Sequence, residues 1–243
     1  MAAQPHGIQA LLFDVFGTVV DWRSSIARDA APFLARHLPG LEGAAFAAAW
    51  RRRYQPAMEA VRTGARPFTK LDILHRENLE GVLRDHGLDP ASLPEAELDG
   101  LNRLWHRLDP WPDSVAGLHR LKARFIIAPL SNGNIALLLN MAKRAGLPWD
   151  AILGAEASQA YKPNREAYLR TADILGLPPE ACMLVAAHNG DLAAARRCGF
   201  RTAFIARPTE YGPEQAKDLA AEQDWDFVAP SFPALADQLG CPA

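Results

Sequence analysis

The amino-acid sequence predicts an α/β protein: a parallel sheet flanked by helices, with an all-helical segment inserted after the first strand. Three observations predict it. A short apolar run, Ile8 to Phe13, ends at Asp14. Helical spacing then dominates from Trp22 to Leu108. Beyond a boundary at Asp109-Pro110-Trp111-Pro112-Asp113, strand-length apolar runs alternate with helical patterns. Such alternation builds βαβ units, which put helices on both faces of a parallel sheet. The core is expected from residues 1–21 and 111–243, and a helical domain from 22–110. The 243 residues amount to about 1.6 average domains, which suits a core with a smaller companion.

The elements follow in order. Apart from Gln9, Ile8 to Phe13 is apolar, as a strand covered on both faces is, and Gly17 follows in a turn. Ile26, Phe33, Leu34 and Leu38 space a first helix, with Pro32 as its weak point. Phe46, Trp50, Met58 and Val61 line a second, which Pro56 should kink or split, because proline lacks an N–H and clashes with the carbonyl four residues back. Leu71, Leu74, Asn78, Leu79, Val82 and Leu83 share one face of a third helix, and Leu98, Leu101, Trp105 and Leu108 one face of a fourth. Strands are expected at 125–130, 151–153, 183–187, 202–205 and 227–228. Between them lie helical patterns such as Ile135, Leu138, Leu139 and Ala142, or Tyr168, Ala172 and Leu175.

Composition narrows the function. With 26 basic and 28 acidic residues the net charge is −2, so there is no basic excess to hold nucleic acid. No apolar run approaches the ~18 residues of a membrane helix, and Met1 to His6 lacks the basic-then-apolar design of a secretory signal. Three cysteines, Cys182, Cys198 and Cys241, form no CxxC pair. A cytoplasmic enzyme or binding protein acting on small molecules is the expectation.

Ligands of open parallel sheets bind outside the carboxyl ends of the strands. The first strand ends in Asp14, with Thr18 four residues on. The second ends in Ser131-Asn132-Gly133. The third strand candidate is followed by Tyr161-Lys162-Pro163, and the fourth ends in His188-Asn189-Gly190-Asp191. Each alone reads as a turn, a cap or a surface cation. Together they put polar groups from four distant segments at one sheet edge.

In that order, Phe13-Asp14-Val15-Phe16-Gly17-Thr18, Leu130-Ser131-Asn132-Gly133, Tyr161-Lys162-Pro163 and the Asp191 segment resemble the four motifs of the haloacid dehalogenase superfamily. The resemblance spans the core and implies a Rossmann-like sheet, and segment 22–110 is similar in position and length to the superfamily's helical cap. Most members are magnesium phosphatases with a second Asp two residues after the nucleophile and an extra carboxylate four residues before Asp191. Here those positions are Phe16 and Ala187. Phe16 cannot move a proton, and Asp14 with Asp191 alone is a poor site for a hard cation that needs several oxygen ligands. The resemblance therefore implies the (S)-2-haloacid dehalogenase branch, without metal or cofactor. There a carboxylate displaces halide, which leaves unprotonated, and the aspartyl ester falls to water.

What the resemblance implies for single residues follows. Asp14 is the nucleophile, kept ionised by Lys162. Thr18 and Ser131 orient carboxylates, and Asp191 positions Lys162 and directs the hydrolytic water. Ser131 and Asn132 hold the substrate carboxylate, and Arg51 and Asn132 take the halide. Arg51 follows Trp50 at the cap position of the halide-binding Arg, although Arg51-Arg52-Arg53 also reads as a solvated helix face. Tyr168, six residues after Lys162, resembles another active-site position, and Asn189 joins the substrate- and halide-binding set. Phe16, Trp22 and Phe68 form either an apolar wall or plain core.

The fourth motif departs from familiar dehalogenases, with Ala186, His188 and Gly190 where those often have Ser, Asn and Trp. His188 stands open between a structural residue, a proton carrier and a halide contact. A third donor at the halide would suit fluoride, a small anion needing close donors, so fluoroacetate enters the expected substrates. The rival readings are a magnesium-dependent phosphatase or phosphonatase and a catalytically silent binding protein on the same fold. A homodimer with a haloacid substrate and a halide product is expected.

Overall fold

The computed structural model describes residues 7–242; Met1 to His6, read above for a secretory signal, lie outside them. β1 (Ala10–Phe13) opens the chain and β2 (Val20–Asp21) follows a tight turn. Five helices come next: α1 (Trp22–His37), α2 (Gly43–Arg52), α3 (Tyr54–Arg62), α4 (Leu71–Asp85) and α5 (Glu95–Asn102). A 3-10 stretch, Arg103–Arg107, leads to β3 (Asp109–Pro110). Then come α6 (Ser114–Lys122), β4 (Ile126–Pro129), α7 (Ile135–Ala145), α8 (Ala155–Ser158) and α9 (Arg165–Ile174). The last elements are β5 (Cys182–Ala186), α10 (Asn189–Arg197), β6 (Arg201–Ile205), β7 (Phe227–Ala229) and α11 (Phe232–Gln238).

The sheet has the order β4-β1-β5-β6-β7, and every pair is parallel. Its pleat explains the apolar runs. Leu11, Phe13, Met183 and Val185 enter one core layer, while Ala10, Leu12, Leu184 and Ala186 enter the other. Successive side chains of a strand point to opposite faces, so a strand covered on both sides has no polar alternate. The first layer continues into the inserted helices through Trp22, Phe46, Trp50, Leu74 and Trp105. β2 and β3 pair antiparallel, with Val20 opposite Pro110 and Asp21 opposite Asp109, and so tie the two ends of the helical segment together.

Three expectations are tested here. The run at 151–153 is not a strand. Asp150 caps the edge of β4 instead: its N–H donates to Ile127 O at 2.9 Å and its Oδ2 accepts from Ile127 N at 2.9 Å. The chain then turns away, leaving only a bridge between Ser131 and Gly154. Pro56 does divide its helix, at Arg53, and falls within the first turn of α3, where a missing N–H costs no hydrogen bond. Pro32 does not break α1. It and Arg28, whose carbonyl loses its partner, both lie on the exposed side. Among the described residues no helix is long and apolar enough to cross a membrane.

Candidate active site

Asp14 follows β1 directly, at the carboxyl edge of the sheet. It is 7% exposed, and every oxygen has a partner. Lys162 Nζ donates to Oδ1 at 2.9 Å; Thr18 Oγ1 donates to Oδ2 at 2.7 Å, and His188 Nδ1 lies 3.0 Å from the same oxygen. Thr18 reaches back because the chain reverses at Gly17, whose φ is +90°, a conformation open to glycine without penalty. The Thr18 hydroxyl also accepts from Ala187 N at 2.9 Å, which fastens the β1 loop to the end of β5. Burial alone would push the Asp14 carboxyl up. The cationic Lys162, with His188 and the Thr18 hydroxyl, outweighs it and holds Asp14 well below the ordinary carboxylate range.

Lys162 is the hub. Its Nζ also donates to Asp191 Oδ2 at 2.5 Å, and its backbone N–H donates to Asn132 Oδ1 at 2.8 Å. Burial disfavours its charge, but Asp14 and Asp191 on either side hold it protonated, above the usual lysine value. Asp191 sits in the first turn of α10, where the helix dipole favours an anion. Its Oδ1 accepts from Tyr168 OH at 2.6 Å. Burial first, and Asp191 next, push the Tyr168 phenol far up, so it remains a donor.

Asp14, Phe16, Arg51, Asn132, Lys162, His188 and Asp191 all border one cavity of about 650 Å³. The Arg51 guanidinium stacks over Tyr54 and also faces Trp22 and Phe16. Its Nη1 is buried without a hydrogen-bond partner among the described residues. Arg51 is thus turned inward, apart from the solvated face that its Arg run suggested. Arg62 and Lys217 add positive charge at the rim.

Four expectations need correction, and Phe68, read as either wall or core, is placed in packing. Asn189 does not serve the cavity, because its amide is consumed by the 218–225 loop. It donates to Asp218 Oδ1 and Ala220 O and accepts from Glu222 N and Trp225 Nε1. The Ser131 hydroxyl accepts from Gly133 N at 3.1 Å and makes no bond to a carboxylate among the described residues. Tyr168 is fully buried and reaches the cavity only through Asp191. Phe68 stacks on Tyr161, away from the cavity. Against a halide contact for His188, both ring nitrogens are engaged: Nδ1 by Asp14, and Nε2 by Glu210 Oε2 at 2.9 Å. Glu210 itself was missed. It lies in the irregular stretch after β6, where no periodicity draws attention. The strand-tip argument, applied once more to β6, would have found it.

Among the described residues no group of three or more His, Cys, Asp or Glu side chains could hold a metal ion. The ammonium of Lys162 lies between Asp14 and Asp191, the place a divalent cation shared by them would take.

A buried carboxylate at a strand tip, an adjoining lysine and an aspartate on the next helix form one charged cluster at the carboxyl edge of a Rossmann-like sheet. Residues 8–199 match the haloacid dehalogenase-like hydrolase family. The (S)-2-haloacid dehalogenase 4A of Burkholderia cepacia is 31% identical over 230 residues, covering 91% of this chain and 95% of that one. A solved defluorinating L-2-haloacid dehalogenase is 56% identical, with a TM-score of 0.94 and 96% of each chain covered. The L-2-haloacid dehalogenase of Xanthobacter autotrophicus, solved with chloropropionic acid covalently bound, is 25% identical, with a TM-score of 0.79, covering 97% of this chain and 100% of that one. The chain belongs to the haloacid dehalogenase-like hydrolases, in their (S)-2-haloacid dehalogenase branch.

Proposed function

We propose that the protein hydrolyses the carbon–halogen bond of short 2-haloalkanoic acids, through an ester on Asp14 and without a metal. The observation that carries this reading is the Asp14–Lys162–Asp191 bridge, open to a cavity whose other wall holds the Arg51 guanidinium, with its Nη1 unpartnered among the described residues. An ionised carboxylate there can attack carbon, and Arg51 can receive the departing anion. Phe16 offers no proton, and a halide leaving group needs none.

In this reading Asp14 Oδ1 displaces halide from the back of the carbon, with inversion. Asn132, whose amide oxygen is spent on Lys162, offers its amide nitrogen to the substrate carboxylate or halide. Phe16 is apolar wall, and Asp191 directs the hydrolytic water. Residues 1–21 and 111–243 act as core and 22–110 as cap, a division supported by the β2–β3 pairing at its boundary. A cytoplasmic setting is in keeping with the three free, buried cysteines, and a homodimer is what the family resemblance implies. Fluoroacetate belongs among the substrates. The support is the 56% identical defluorinating relative, not His188.

The test is halide release from a panel of fluoro-, chloro- and bromoacids, with and without EDTA, joined to one turnover in heavy-oxygen water with enzyme in excess. Release should survive EDTA, and the first product should carry unlabelled oxygen from Asp14. A labelled first product, or activity lost to chelation and restored by magnesium, would refute the reading.

A further inference from the structure

We propose that His188, as an imidazolium, donates to the oxyanion formed when the Asp14 ester is hydrolysed, and that Glu210 is its positioning residue. The proposal rests on the ester reading above and assigns a step within it.

The ring lies between two carboxylates, with Nδ1 3.0 Å from Asp14 Oδ2 and Nε2 2.9 Å from Glu210 Oε2. A neutral imidazole has one N–H and one lone pair, so it would aim a lone pair at one of these oxygens. With both carboxylates ionised, only the doubly protonated ring satisfies both. Glu210 is 1% exposed and is fixed from its other oxygen by Trp22 Nε1 at 3.0 Å. Burial opposes the His188 charge, yet Glu210 and Asp14 raise its pKa to about 10. A ring in that state is a donor and cannot serve as the general base.

The two oxygens of Asp14 are held unequally. Among the described residues Oδ1 bonds Lys162 Nζ alone, whereas Oδ2 receives both Thr18 Oγ1 and His188 Nδ1. Oδ1 therefore becomes the ester oxygen, and Oδ2 stays as the carbonyl. Water attacks Cγ, forming a new C–O bond as the carbonyl electron pair moves onto Oδ2, and its proton passes to Asp191. The oxyanion takes hydrogen bonds from His188 and Thr18, donors preorganised where charge develops. Collapse breaks the Cγ–Oδ1 bond. The departing alkoxide takes a proton from Lys162, which Asp191 replaces, and Asp14 loses its remaining acid proton to solvent. Once alkylated, Asp14 is neutral, and Glu210 alone keeps the imidazolium charged. A Cβ at Gly190 would meet nothing within 4 Å, and this residue borders the cavity beside His188, leaving room for the attacking water.

The experiment compares wild type, His188→Gln and Glu210→Gln with chloroacetate, reading rapid-quench chloride release and intact-protein mass. The variants should keep a burst of about one chloride per enzyme, then turn over about 100-fold more slowly, with a carboxymethyl ester accumulating on Asp14. In Glu210→Gln the alkaline limit of ester hydrolysis should fall below that of wild type, toward the ordinary imidazole value, because Glu210 is the first of the groups that raise His188. Asp14, Arg51, Lys162, Asp191, Tyr211, Lys217 and Asp218, the other charged or titratable groups around that part of the cavity, are unchanged in this variant. Burst and steady state falling together with no adduct, or an ester that decays at the wild-type rate, overturns the proposal. Should Glu210→Gln fail to fold, His188→Gln, beside the open cavity, gives the same readout. No adduct in any protein, with water oxygen in the first-turnover product, overturns the ester reading itself and the proposal with it.

Discussion

The Arg51 guanidinium carbon lies 4.0 Å from the centre of the Tyr54 ring, and its Nη1 is buried with no partner among the described residues. A buried cationic donor left unpaired is costly, so an anion entering beside it should stabilise the fold. Added chloride or bromide should raise the melting temperature of wild type at constant ionic strength. In Arg51→Ala that rise should vanish and kcat/KM should drop at least about 100-fold, the scale of losing one preorganised donor. Arg51→Lys should recover little, because an ammonium cannot stack flat on Tyr54. A halide-induced rise that persists in Arg51→Ala would place the anion elsewhere.

Lys162→Ala should nearly abolish turnover while the fold persists. Burial pushes the Asp14 carboxyl up, and Lys162 is the main influence pulling it down. Without Lys162, Asp14 and Asp191 repel each other in a partly desolvated site, and one takes up a proton at higher pH. The acid limb of kcat/KM should therefore move upward in pH. A variant with most of its rate at pH 7 and an unmoved limb would contradict the bridge as the basis of activity.

Stability should depend on the same cluster. The folded-state pKa of His188 is raised from 6.5 to about 10. Its contribution is thus fully present below about pH 6.5 and is lost as pH rises toward 10, with a limiting slope of about 1.4 kcal/mol per unit for one proton. Asp14 is lowered, so its contribution holds above the ordinary carboxylate value of 3.8 and fades as pH falls below it. Urea titrations from pH 6 to 10 should show a decline in wild type that is much flatter in His188→Gln. Equal slopes would remove the charged ring from the native state.

Gly17→Ala should cost more than Gly146→Ala. Both residues have positive φ, which strains any L side chain by about 1 kcal/mol or more. A Cβ at Gly17 would also stand 2.1 Å from Glu210 Oε1, whereas one at Gly146 meets nothing within 4 Å. Thermal melts of the two variants should differ by several degrees, since about 1 kcal/mol moves the midpoint of a chain this size by ~2–4 °C. Only Gly17→Ala should also slow turnover, because it displaces the residue that holds His188. Matching melts and rates would mean that Glu210 yields freely.

The sequence by itself determined the fold class, the parallel core, the inserted helices and the residues of the central bridge. Those features rest on short-range physics: apolar strands buried on both faces, helical spacing, prolines that interrupt helices, and polar residues at strand tips. Asp14, Thr18 and Asp191 were legible because each follows a strand that forms, whereas Lys162 was legible through the motif resemblance, since the strand expected before it at 151–153 does not form. Only the tertiary structure decided the rest. Whether 151–153 becomes a strand depended on Asp150 capping the β4 edge. Whether Arg51 faces solvent or cavity depended on Tyr54, Trp22 and Phe16 closing around it. The state of His188 depended on Glu210, 22 residues away along the chain and in an irregular loop. A side chain's partners across such distances are set by how the layers pack, and hydrophobic pattern does not encode which polar group ends opposite which.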